Sequence, residues 1–128
     1  MKKKAIYIND LHFEHKQWKS ELAFQEGEIK TFVKRLEDVV VRWTDKDILR
    51  QVEHFQNQFI LHGEIIDTLN HDINEQVHKL SAFAAAHPVA IDHVHFEDHT
   101  EMRERNEDQS RMFNKLRKEY MRFLTTAM

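Results

Sequence analysis

Residues 48–83 read ILRQVEHFQNQFILHGEIIDTLNHDINEQVHKLSAF. Alternate steps of four and three along this stretch land on Ile48, Val52, Phe55, Phe59, His62, Ile66, Leu69, Ile73, Gln76, Leu80 and Phe83. All but His62 and Gln76 are apolar, and neither exception carries an obligatory charge. A row that repeats every seven residues over two helical turns forms a single stripe along an α-helix. A stripe this long marks helices packed along a common seam.

The same stepping works on both sides of this stretch. Toward the N-terminus it gives Leu11, His15, Trp18, Leu22, Gln25, Ile29, Phe32, Leu36, Val39 and Trp43. Toward the C-terminus it gives His95, His99, Met102, Asn106, Gln109, Phe113, Leu116, Tyr120, Phe123 and Ala127. None of the 31 positions is Asp, Glu, Lys or Arg, although these make up 32% of the chain, so the register is not accidental.

Helix starts carry a shared signature of a capping residue with large apolar residues on either side to clasp across it. Asn9 lies between Ile8 and Phe13, Thr44 between Trp43 and Ile48, and Asp92 between Ile91 and Phe96. Pro88 disfavours helical geometry at His87 and ends the second helix near Ala86. These signals predict an all-α antiparallel bundle of three long helices, over about 10–43, 45–86 and 93–126, in a single domain spanning 1–128. Dimerisation is one way such a bundle could be completed.

Short connections also predict heights, with paired numbers summing to roughly 88 across the first turn and roughly 179 across the second. That ruler sets Gln25 level with His62 and opposite Phe113 to Leu116, Trp18 level with Gln109, and His99 beside Leu80.

Composition narrows the functional classes. The chain has 128 residues, large enough for a core without staples, and no cysteine, which excludes a thiol enzyme, a disulfide framework and a thiolate metal site. The apolar stretch Ala5 to Ile8 after Lys2, Lys3 and Lys4 is too short for a membrane span or a signal-peptide core, so a cytoplasmic setting is expected. A net charge of -3 with both signs interspersed gives no footprint for nucleic acid. With two glycines there is no phosphate cradle, and no nucleophile motif is present, so the balance tilts away from an enzyme.

Two groups of residues invite functional readings. His12 and His15 in the first helix, with His95 and His99 in the third, form a histidine cluster near the open end of the bundle. Imidazoles spaced by three or four on neighbouring helices suit a divalent transition metal, zinc or iron above all, and Glu14 and Asp72 flank the cluster and could complete its coordination. The competing reading is structural: buried histidines satisfied by Asn106, Gln76 or water, acting as polar layers that fix register. A related expectation is a pH response, since buried neutral imidazoles resist protonation.

Two motifs also resemble di-iron bundles. His71-x-x-x-Glu75 followed by His95-x-x-x-His99 is similar to part of the hemerythrin-like ligand set, and Glu75-x-x-His78 looks like the motif of ferritin-like proteins. Both families place such ligands on inward faces and add a fourth helix, whereas His71, Glu75 and His78 fall on the outer stripe of the second helix here, so membership is not inferred.

The second group is apolar and lies off the seam: Phe13, Phe24, Ile60, Leu61 and Ile65. The height ruler sets Phe24 beside Ile60 to Ile65, predicting a patch through which a second copy of the chain would dock. The leading expectation is therefore a non-enzymatic bundle acting through protein contacts, foremost as a homodimer, and the alternative is a metal-binding bundle. Gly27 and Gly63, the only glycines, both fall inside helices and at similar heights, suggesting either a gap or space filled by a bulky neighbour.

Overall fold

A computed structural model describes residues 8–86 and 93–127. They form α1 (Ile8–Arg42), α2 (Lys46–Ala86) and α3 (His93–Ala127), which pack on one another as a three-helix bundle. The helices have 35, 41 and 35 residues, making rods of about 50–60 Å.

The seam holds throughout. Every buried side chain among the described residues belongs to the stepped row. The remaining members, Ile29, Trp43, Ile48, Phe83 and His95, are half-buried. A stripe free of obligatory charge is what lets three helices close without burying an unpaired ion.

The helix starts differ in detail. Asp45, not Thr44, caps α2: its Oδ1 accepts from the backbone N–H of Asp47 at 2.8 Å and of Ile48 at 3.1 Å. Its carbonyl takes the first helical bond, from Leu49 N–H at 3.0 Å. A carboxylate there satisfies two orphan donors at once and suits the positive end of the helix. Asn9 lies inside α1, which already includes Ile8, while the expected cap at Asp92 lies outside the described residues.

α3 also stands at a different height from the one its short connections predict. Gln109 Nε2 donates to Gln25 Oε1 and Trp43 Nε1 donates to Ala127 O, each pair 84 positions apart. His15 and His99, with ring centroids 4.9 Å apart, obey the same offset. The ruler had implied one heptad more. Either offset keeps the seam in step, because both are multiples of seven. Only the observed one sets histidine against histidine and glutamine against glutamine. The longer one would place Gln25 against Leu116 and leave its amide to lose hydrogen bonds in an apolar layer. Polar layers thus choose between registers that apolar packing leaves nearly equal.

The flanks support the same choice. Glu14, Glu21 and Glu28 recur every seven residues on α1 and meet Arg103, Ser110 and Arg117, which recur every seven on α3. Each contact spans 89 positions, the relation of flanking positions in parallel, in-register helices.

Candidate functional site

The open-end half of the bundle contains a connected set of buried polar side chains. His15 on α1 and His99 on α3 are almost fully buried, brought together by the heptad match of their helices. His15 Nε2 donates to Gln76 Oε1 on α2 at 2.7 Å. His99 Nε2 donates to Glu14 Oε1 at 2.6 Å. Arg103 grips the same carboxylate in a fork, Nε to Oε2 and Nη2 to Oε1, both at 2.7 Å. Trp18 closes the layer, its ring 4.7 Å from that of His99 and 5.5 Å from that of His15.

Since Nε2 of each histidine is the donor, the neutral ring presents Nδ1 as a lone pair. Neither Nδ1 has a hydrogen-bond partner. Burial pushes both imidazoles below their ordinary value, outweighing the pull of Gln76 on His15 and of Glu14 on His99. The fork from Arg103, aided by His99, holds the Glu14 carboxyl down at about 2. The layer therefore combines two neutral bases with one fixed anion.

A second layer lies further along the bundle. Gln109 Nε2 donates to Gln25 Oε1 and to His62 Nδ1, both at 3.0 Å. Gln25 Nε2 donates to Ser110 Oγ at 3.3 Å, and Ser110 Oγ donates to Glu21 Oε1 at 2.7 Å. A hydrogen-bond chain thus runs from Glu21 at the surface to buried His62. Burial lowers the His62 imidazole as well. Gln109 Oε1 and Asn106 Oδ1 are left without partners.

The four histidines expected as metal ligands do not share one environment. His12 stands beside His15 with ring centroids 5.6 Å apart, half-buried. His95 packs its ring 4.6 Å from that of Phe83. Glu14 is taken up by His99 and Arg103, and Asp72 faces the other groove, where Arg105 Nη2 donates to it at 2.7 Å. Among the described residues, no three His, Asp or Glu side chains form a group able to hold a metal ion. His71, Glu75 and His78 are exposed, and His71 and Glu75 line the open-end part of the α2/α3 groove rather than the seam.

No family model matches this chain, and no curated protein or solved structure is detectably similar to it.

The apolar surface is divided differently from the sequence expectation. Phe24 lies on the α1/α3 side beneath the Arg117 guanidinium, 5.7 Å from its ring centre. Leu61 and Ile65 line the α2/α3 groove together with Met112. Phe24, itself 59% exposed, lies on the other side of α3 from the groove that holds Leu61 and Ile65, so the patch expected to unite them is divided. Met112 is the member that sequence reasoning missed. Its signal was its place on the flank of α3 facing Ile65, visible only once the helices were paired.

Gly27 and Gly63 mark no close approach: a Cβ on either would meet nothing within 4 Å. No helix among the described residues is long and apolar enough to cross a membrane.

Proposed function

We propose that this protein is a helical bundle that works by pairing with a second copy of itself, in a cytoplasmic setting, rather than by catalysis. The observation that carries this reading is the α2/α3 groove. Leu61 and Met112 remain 47% and 46% exposed beside half-buried Ile65, although the three-helix core behind them is already complete. Apolar side chains gathered in one groove, with charged residues at its edges, suit a protein partner better than water. Sedimentation equilibrium tests the reading: twice the chain mass at micromolar concentration is expected, and a single-chain mass across the accessible range contradicts it.

The alternative, a transition-metal bundle, draws on the unpartnered Nδ1 atoms of His15 and His99, since a neutral imidazole nitrogen is a good ligand for zinc or iron. Its test is elemental analysis of protein purified without chelators. About one metal per chain, lost when His15 and His99 become leucine, would favour it, and metal-free folded protein would remove it.

A further inference from the structure

Where the second copy sits can be read from the outer face of α3. Alternate steps of four and three from Glu97 land on Glu101, Glu104, Asp108, Arg111, Lys115, Lys118 and Arg122, all of them exposed. The first four of the eight are acidic and the last four basic. The corresponding outer stripe of α1 is unlike this: its first six positions, from Phe13 to Thr31, carry no charge, and only Lys34 and Asp38 at its end do.

Two features of the stripe call for an explanation. Placing Glu101 beside Glu104, and Lys115 beside Lys118, sets like charges one turn apart, which costs helix stability where alternation would have added to it. The helix dipole favours acids at the start of a helix and bases at its end, but only within the terminal turns, and the segregation here extends to the centre. The arginines on the flanks of α3 are engaged: Arg103 with Glu14, Arg105 with Asp72 and Arg117 with Glu28. In the stripe itself, Asp108 and Arg111 pair with each other at the midpoint. Glu101, Glu104, Lys115 and Lys118 have no ion-pair partner among the described residues.

The stripe is symmetric in spacing and opposite in sign about its midpoint. Turned end for end, its positions coincide with themselves, so that 97 meets 122, 101 meets 118, 104 meets 115 and 108 meets 111. Each meeting joins an acid to a base. We infer that two copies of the chain dock through this face with their α3 helices antiparallel, about a twofold axis near residues 109 and 110. Such an interface is isologous, with the same patch on both partners and every pair occurring twice. The α2/α3 groove with Leu61, Ile65 and Met112 adjoins the midpoint, where Asp108 and Gln109 also line it. It would supply the apolar centre, and the charges would set direction and register. This inference rests on the self-pairing proposed above and specifies its face and its polarity.

A charge-swap cycle tests it. The basic variant Glu101→Lys/Glu104→Lys and the acidic variant Lys115→Glu/Lys118→Glu alter only exposed positions, and circular dichroism verifies that each folds. Each variant sets like charges against like in the dimer, so the dissociation constant measured by sedimentation should rise about tenfold or more for either. The quadruple variant, with all four charges exchanged, restores the complementarity and should return to within about threefold of the original. A mixture of the basic and acidic variants should form mixed dimers. Weakening should also follow a rise in salt from about 0.1 M to about 1 M, where the screening length falls from about 10 Å to about 3 Å. A dimer whose dissociation constant is unchanged in both double variants overturns the α3 face while leaving self-pairing intact. A parent protein that stays monomeric overturns both.

Discussion

The two halves of the bundle share one heptad frame and fill it differently. Next to the first turn the core is aromatic and almost wholly apolar. Phe32, Phe55, Phe59, Tyr120 and Phe123 pack with ring centroids between 4.5 and 6.4 Å apart, and the one hydroxyl among them, on Tyr120, donates to Phe32 O at 3.0 Å. Burial raises that phenol to about 12. Toward the open end the same frame holds His15, His99, Gln76, Asn106, Gln109, Gln25 and His62. Among the described residues, four of the five buried polar side-chain atoms lacking partners, all except Arg117 Nε, belong to this set. Burying apolar area gives stability with little preference between heptad registers. Polar layers give up some of that stability and fix the register.

If that division is right, perturbing the two halves should have unequal effects. The largest is expected from Phe59→Ala, which empties the aromatic core and should lower unfolding free energy by about 3–5 kcal/mol in urea titrations. A loss under 1 kcal/mol would mean that the core is not packed as described.

Acid should act on the other half. The imidazoles of His15, His62 and His99 are held below their ordinary value by burial, whereas in the unfolded chain they titrate near 6.5. Below that pH the unfolded state binds more protons, so stability is complete above about pH 6.5 and falls as the pH drops toward the folded-state values. Each unit of depression is worth about 1.4 kcal/mol once both values are passed. Glu14 adds a second decline, starting near 4.5 and ending near 2. Chemical denaturation from pH 8 to 5 should show the first decline. Replacing His15 and Gln76 together with leucine should flatten part of it, at little stability cost at neutral pH, because both members of a buried polar pair leave at once. A flat profile in the parent protein would contradict the buried neutral histidines.

Smaller effects sharpen the contrast. Glu14→Gln keeps an acceptor for His99 but discharges the fork with Arg103, for an expected loss of about 1–2 kcal/mol and a weaker decline below pH 4.5. Gly27→Ala and Gly63→Ala should each stabilise by about 0.5–1 kcal/mol, since both glycines are helical, neither has a positive φ and neither Cβ would meet a neighbour. A destabilised Gly63→Ala would reveal a close approach that the geometry lacks.

The division also shows what the sequence could convey. The row of uncharged positions identified every buried side chain among the described residues, because charge is the residue property that burial tolerates least. The start of α2 was readable to within one residue, because Thr44 and Asp45 are adjacent and both good caps. The height of α3 was off by one heptad because a ruler based on loop length cannot separate two in-step registers. The information was present in the row itself, in the match of Gln25 to Gln109 and His15 to His99, and on the flank, in the recurrence of Glu14, Glu21 and Glu28. That error in height moved His99 away from His15. The lack of partners at Nδ1 could not be read at all, since it depends on which ring nitrogen each neighbour takes.

Hydrogen exchange resolved along the chain at pH 7.5 and pH 5.5, corrected for intrinsic rates, tests the two-halves account most directly. The account predicts that amides beside the aromatic core, in 32–39, 52–59 and 113–123, keep similar protection at both pH values, while those around 11–25, 62–80 and 99–109 lose protection selectively at pH 5.5. Equal loss of protection along all three helices, or none anywhere, would contradict it.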